Sequence, residues 1–469
     1  MNYKILFSVL AILFVFLLAS GTAFAAPVEI RTTDDFMKIN DSAVNRSLDY
    51  ILMNDIDFKG KTFTPIGENY STSFNGTFNG NGYTISNITF SNDKMDHVGL
   101  FGYSKDAEFN NVTLKNVNVS GKNYVGGLLG NGNNVSITGC SIESGNSIIS
   151  GSTYVGGLVG GISSNSSVIN SYAIGDVNGS SNVGSLIGDM TYSSVSNSYA
   201  TGNVTGSSNS VGGFVGRLSH SSISDSYATG NEIGNSNVGG FVGYSSGSSV
   251  FNSSATGNVT GNSTSSIVGG FIGNMSSDSF VYNSYATGNA IGNTIGNSTS
   301  CIVGGFVGSI YSNSSVYNSY ATGNATGNVT RSGDNVSGFV GYLDDKNAET
   351  INIVADSFYV GTPNSNNLSK GLFVTSAELK QISTFTTVGS YLSASWDISS
   401  SPNSSAIWYI NERNSYPLFN WNGTVSTKNT TENTTKNTTE NTSAVDTNTN
   451  TNMITYLQNM VNSISFWRR

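Results

Sequence analysis

The sequence predicts an all-β protein: a right-handed parallel β-helix with capping ends and a disordered C-terminal tail. Three observations predict it. A Gly-rich unit recurs at steps of 27 to 35 residues. Inside each unit, large and small side chains alternate with period two, the mark of a half-buried strand. No segment within the repeats offers the helical pattern that an ordinary parallel crossover needs.

The chain of 469 residues opens on Lys4 and an apolar run from Ile5 to Leu18, followed by Ala23-Phe24-Ala25. A positive start, an apolar core and a small-x-small site read as a secretory signal peptide over residues 1–26. The run is shorter than the roughly 20 residues of a spanning helix. The expected location of the mature protein is therefore secreted or at the cell surface.

Residues 27–97 read as N-terminal capping coils. DDFMKIND is a short capping helix, and ILMNDIDF, FTPIG and FNGTFNGNGYTISNITF are strand-like. A stack of strands exposes an edge at each end that must be covered.

The regular repeats fill residues 98–368. Aligned on the first valine they begin at Val98, Val125, Val155, Val183, Val211, Val238, Val268, Val303 and Val336. Three positions on stand Phe101, Leu128, Leu158, Leu186, Phe214, Phe241, Phe271, Phe306 and Phe339. A second anchor places Asn170, Asn197, Asp225, Asn252, Asn283 and Asn318 in one register, extended by Asp356. Tyr172, Tyr199, Tyr227, Ser254, Tyr285 and Tyr320 follow two residues later, extended by Phe358. Stacked coils bring equivalent residues about 4.7–4.9 Å apart. The Phe/Leu positions should then form one internal ladder and the tyrosines another, with an amide ladder at the asparagines. Val211 and Phe214 can both be buried only if the chain bends between them, which Gly212 and Gly213 would allow through unusual backbone angles.

Residues 369–422 read as a final coil and cap, with a short helix in TSAELKQIS and the three tryptophans Trp396, Trp408 and Trp421. Residues 423–450 are a low-complexity Asn/Thr spacer expected to be disordered. Its Asn-x-Thr triplets have the form of glycosylation acceptors. Residues 451–469 place Met453, Leu457, Met460/Val461 and Ile464 at helical spacing before Trp467 and two arginines. That short amphipathic segment is too polar to span a membrane but fits peripheral contact with a membrane or wall.

The core GLLG (127–130), GLVG (157–160) and GFVG (213–216), followed by NSYATGNVTG, resembles the GLUG-motif repeat family. The opening LMNDIDF and the closing WYINERNSYPLFNW also look like the ends of that family's domains. The resemblance covers about residues 30 to 422. It implies an adhesin-like bacterial or archaeal surface or secreted protein, and it supplies no catalytic residues.

Composition excludes more than it assigns. Glycine makes up 55 of the residues, charged side chains only 10%, and the net charge is −9. Such a surface, read as uncharged Ser, Thr and Asn, is wrong for the phosphates of nucleic acid. Cys140 and Cys301 are too few and too distant for a disulfide framework.

The search for chemistry returns no catalytic, cofactor or metal residue and leaves the ligand-binding positions open. His97 and His220 lie in different coils and read as exposed substitutions. GKT at 60–62 lacks the glycine that a phosphate loop needs at position 55, where Asp55 stands. NDIDFKG has Asp55 and Asp57, but Lys59 and Ile66 occupy the next ligand positions of a calcium loop. Sugar hydrolysis needs a carboxylate pair, whereas Asp176, Asp189, Asp225 and Asp278 are scattered and bases such as Arg217 and Arg331 are few.

The expected function is a non-catalytic, adhesin-like binding or display protein whose partners are cell-surface glycans or envelope components. The alternatives are a purely structural glycosylated envelope component and a polysaccharide lyase or hydrolase.

Overall fold

The computed structural model describes residues 26–143, 147–263, 265–293, 301–327, 335–344, 352–361, 370–387, 396–402 and 404–420. The expected signal peptide up to residue 25, Trp421, the Asn/Thr spacer, the expected amphipathic segment and Arg331 lie outside the described residues.

Short alternating segments separated by glycine and asparagine give five small strands per coil. In the coil that begins at Val211 these are β1 (Val211–Gly212), β2 (Val215–Ser219), β3 (Ser222–Ser224), β4 (Tyr227–Ala228) and β5 (Glu232–Gly234). Equivalent strands of successive coils pair in parallel. They build sheets of eight, nine, twelve, twelve and nine strands in the order β1 to β5. The chain is a β-solenoid.

The register is the one the valines predict, from Val98 against Val125 through to Val303 against Val336. The phenylalanine ladder forms as expected. Phe214, Phe241, Phe271, Phe306 and Phe339 stack with centroids 4.7 to 4.9 Å apart and planes within 5°. Each such contact is worth about 0.5–1.5 kcal/mol beyond area burial. The first copy departs from the alignment. VGLFG has one glycine fewer, so Phe101 pairs with Leu129 rather than Leu128.

Val211 and Phe214 are both fully buried, as a bend at Gly212 and Gly213 requires. The reason for glycine differs from the expected one. Neither takes a positive φ; instead a Cβ on Gly212 would overlap the Val215 carbonyl, and one on Gly213 the Gly240 carbonyl of the next coil. Space, not torsion, selects glycine here.

The tyrosine ladder exists but faces outward, which corrects the internal placement. Tyr172, Tyr199 and Tyr227 stack at 4.6 and 5.0 Å with planes 6° and 2° apart, yet all three are half-buried on the outside. Their neighbours Ala173, Ala200 and Ala228 face the core. In these coils the column abuts the glycines opposite, where a Cβ on Gly157 would lie 3.0 Å from Ala173 Cβ and one on Gly240 3.2 Å from Ala255 Cβ; in earlier coils the same column holds Ile142 and Leu114.

Serine is likewise not only a surface residue. At the corner before β4, Ser226 Oγ donates to Ser224 O (2.7 Å) and accepts the Ser198 amide of the preceding coil (3.3 Å). At the corner before β3, Ser221 Oγ donates to Ser219 O (2.7 Å) and accepts the Ser193 amide (3.1 Å). These buried hydroxyls satisfy backbone groups that the turning chain would otherwise orphan.

The ends are closed by different means. The helix Thr33–Met37, capped by Thr32, inserts the fully buried Phe36 edge-on against Phe58 and Phe78, each at 5.7 Å. At the other end Leu372–Phe373 adds one more strand beside Phe358–Tyr359. The TSAELKQIS region gives a single 3-10 turn, Glu378–Lys380, before the helix Ser383–Thr386. Residues 396–420 add no further coil. They form a three-stranded sheet with one antiparallel pair, Trp408–Tyr409 against Leu418–Phe419. Trp408 packs over Phe419 (4.5 Å), Tyr320 (5.9 Å) and Tyr285 (6.2 Å), so this sheet lies along the tyrosine column.

Cys140 and Cys301 are both buried and form no disulfide. Burial pushes the Cys140 thiol up to about 12, so it packs as a small apolar side chain.

Candidate functional site

The repeated words YATGN project three outward columns. Tyrosine comes first, then Thr201, Thr229, Thr256, Thr287 and Thr322, then Asn203, Asn231, Asn258, Asn289 and Asn324. The asparagines form a ladder at a column other than the one the sequence predicts. Asn203 Oδ1 accepts the Asn231 amide (3.1 Å), Asn231 Oδ1 that of Asn258 (2.9 Å), Asn258 Oδ1 that of Asn289 (3.0 Å), and Asn289 Oδ1 that of Asn324 (2.9 Å). Its signal was the recurrence of Asn at one place in the repeat. The amide ladder that was expected, at the Asn170 column, forms only in part: Asn252 donates to Asp225 (3.0 Å) and Asn283 to Asn252 (3.2 Å), but Asn318 turns to Tyr282 Oη (2.9 Å). All members of that column hold φ between 46° and 52°. Asn and Asp tolerate this left-handed conformation better than other side chains.

Most of the scattered acids are absorbed by the scaffold. Asp176 starts the Asn203 ladder at 3.1 Å, and Asp225 belongs to the amide column. Asp278 sits at a corner with φ 59°. Asp55 and Asp57 of the rejected calcium loop accept bonds from the next coil, Thr84 N–H at 2.8 Å and Asn87 Nδ2 at 2.7 Å. Asp189 alone meets a base: Arg217 donates to it at 3.2 Å across adjacent β2 strands. Burial raises the Asp189 pKa, and Arg217 opposes that shift.

His220 is exposed, as expected, whereas His97 is half-buried, and both stack on tyrosines. His97, Tyr124 and Tyr154 occupy left-handed corners (φ 57° to 60°) and stack at 5.3 and 4.5 Å. Burial lowers the His97 pKa, and burial with neighbouring Tyr154 raises Tyr124 to about 12. At the opposite end of the β2 strands, Tyr192 (φ 47°) stacks on His220 (φ 48°) at 4.9 Å. A groove of about 460 Å³ lies beside that second stack, lined by Asn165, Tyr192, Ser194, His220, Ser222 and Ser249 among others.

Chemically, these surfaces offer aromatic faces, hydroxyls and amides. Among the described residues no three His, Cys, Asp or Glu come together as a metal site, and no helix is long and apolar enough to cross a membrane.

The GLUG motif is matched at residues 151–178, 207–233 and 234–260, each within one coil's length. Halomucin of Haloquadratum walsbyi is 36% identical over 130 residues, which is 24% of this chain and 1% of that protein. Among solved structures, a candidate immunoglobulin A1 protease from Bacteroides ovatus aligns over 84% of this chain and 92% of its own, at 18% identity and a TM-score of 0.36. An IgA1 protease aligns over 71% of this chain and 21% of its own, at 16% identity and a TM-score of 0.30. The chain thus carries the GLUG motif in three places, on a solenoid whose coil is the motif's own length.

Proposed function

We propose that this solenoid is a secreted or cell-surface protein that works by adhesion-like binding, without catalysis, and that its partners are glycans or envelope components. The observation that carries the reading is the exposed chemistry of the coils. Repeated Tyr, Thr and Asn columns and two aromatic corner stacks supply the groups that engage neutral polar ligands. The half-buried Asp189 is held in an ion pair with Arg217 rather than set opposite a second carboxylate. The partial match to halomucin and the apolar N-terminal run support an extracellular location.

Glycan-array binding of the full chain, with fractionation of cells into medium, envelope and membrane, tests this reading. Specific binding by extracellular protein is expected. Sugar release from envelope or plant polysaccharides, lost on replacing one acid, would overturn the non-catalytic part. A second reading, a purely structural glycosylated envelope element, is favoured by the Asn-x-Thr triplets of the spacer. It predicts occupied glycosylation acceptors and an empty array.

A further inference from the structure

We infer that the groove beside Tyr192 is a subsite for a neutral sugar ring, with Tyr192 as its stacking platform; this rests on the binding reading above and names its site and ligand class. The groove has a cause in the chain. Between β2 and β3 equivalents, Tyr192, His220 and Gly247 are single left-handed residues, whereas the preceding coil spends two, Ser164 (φ 61°) and Asn165 (φ 62°), at the same corner. The extra residue raises one wall, and the three single-residue corners run as a trough beneath it.

Tyr192 is an expensive choice at such a corner. Asn134 (φ 53°) and Gly247 (φ 60°) show the ordinary solutions in the same column. A bulky residue in this region costs about 1–3 kcal/mol, and such outliers collect at ligand sites. Burial does not compensate here, because Tyr192 is 57% exposed. One face of its ring rests on His220. The far side of His220 is closed in turn by Gly247, where an added Cβ would come within 3.1 Å of the imidazole. The open face of Tyr192 therefore looks along the trough toward Asn165.

The polar lining fits a polyhydroxyl ligand. Ser193 and Ser221 spend their hydroxyls on the corners. Ser194, Ser222 and Ser249 point outward from successive β3 strands in one row, and among the described residues their hydroxyls have no protein partner. No carboxylate, lysine or arginine lines the groove. An anionic ligand would call for a guanidinium or ammonium. A neutral pyranose has what remains: an apolar C–H face for the tyrosine and a rim of hydroxyls for the serines and Asn165.

The test uses the full chain against immobilised neutral gluco-, manno- and galacto-oligosaccharides, with sulfated and uronate oligosaccharides alongside. Tyr192→Asn removes the platform and relieves the corner, Tyr192→Phe keeps the ring, and Tyr70→Ala removes an exposed tyrosine that lies outside the columns, the corner stacks and the groove. Binding to a neutral sugar is expected to weaken about tenfold or more in Tyr192→Asn, with thermal stability maintained or raised. Tyr192→Phe and Tyr70→Ala should stay within about threefold of the parent chain. Unchanged neutral-sugar binding by Tyr192→Asn would refute the groove and leave the broader reading standing. Binding confined to the charged probes would refute the ligand class. No binding to any probe would sink both.

Discussion

The tyrosine column runs from Tyr172 to Tyr320, and its two parts live differently. Tyr172, Tyr199 and Tyr227 stack in the open, whereas Tyr285 and Tyr320 are 8% and 1% exposed beneath Trp408 and Phe419. Ser254 interrupts the column where the two parts meet. The same residue in the same register is thus a surface group in one coil and a core group a few coils later. Tyr320 even donates its hydroxyl to Pro417 O at 2.5 Å, and Trp396 Nε1 donates to Asp356 O at 2.9 Å. The difference teaches that repeat identity sets position, while the non-repeating segment decides environment.

The largest expected effect tests the covered part. Trp408→Ala should cost about 3–5 kcal/mol, the usual range for an emptied tryptophan site. Because solenoid stability is local, amide exchange should accelerate at residues 285–420 and stay unchanged near Tyr199. Uniform acceleration would break the comparison. Tyr320→Ala should follow closely, at about 3 kcal/mol.

The interior under the open part supplies a change of opposite sign. Glu232 is fully buried between Val204 and Val259 of adjacent coils, and both its oxygens lack a partner. Burial raises its pKa well above the usual carboxylate range. Folding above the unfolded value, about 4.3, must then take up a proton, so this group's effect on stability worsens as pH rises from there toward the folded pKa. Glu232→Val should stabilise by about 1–4 kcal/mol at neutral pH and flatten that slope in melts recorded from pH 4 to 8. An unchanged slope would mean the carboxylate finds a partner. The smallest effect is Tyr199→Ala, which should cost about 1 kcal/mol in a denaturant titration, since two stacked neighbours are lost but little burial.

The sequence made the solenoid readable because its period is carried by residues with one physical job. Valine and phenylalanine must face inward, and their spacing gave the pairing of nearly every coil. It misjudged the tyrosines because period-two alternation fixes which residues share a face, not which face is inside. That choice was made by the glycines opposite Ala173 and Ala255, a contact between distant parts of the repeat. The Asn203 ladder was written in the recurrence of ATGN, but the amide ladder was expected at the Asn170 column instead. The aromatic corners at His97, Tyr124, Tyr154, Tyr192 and His220 break the repeat, so alignment on its common part passed over them. That the closing segment around Trp408 lies along the tyrosine column could not be read, because it repeats nothing.

The Asn203 ladder also gives the molecule an arrow. Each side-chain oxygen from Asp176 through to Asn289 reaches toward the coil that follows, the last of them to the Asn324 amide. A coil inserted between any two would find an acceptor below and offer one above, with no partner displaced. Reach then becomes a separately adjustable property, gained in increments of about 4.8 Å, while the two unlike terminations stay as they are. Selection could lengthen or shorten this protein by duplication or loss of a unit without re-solving its fold.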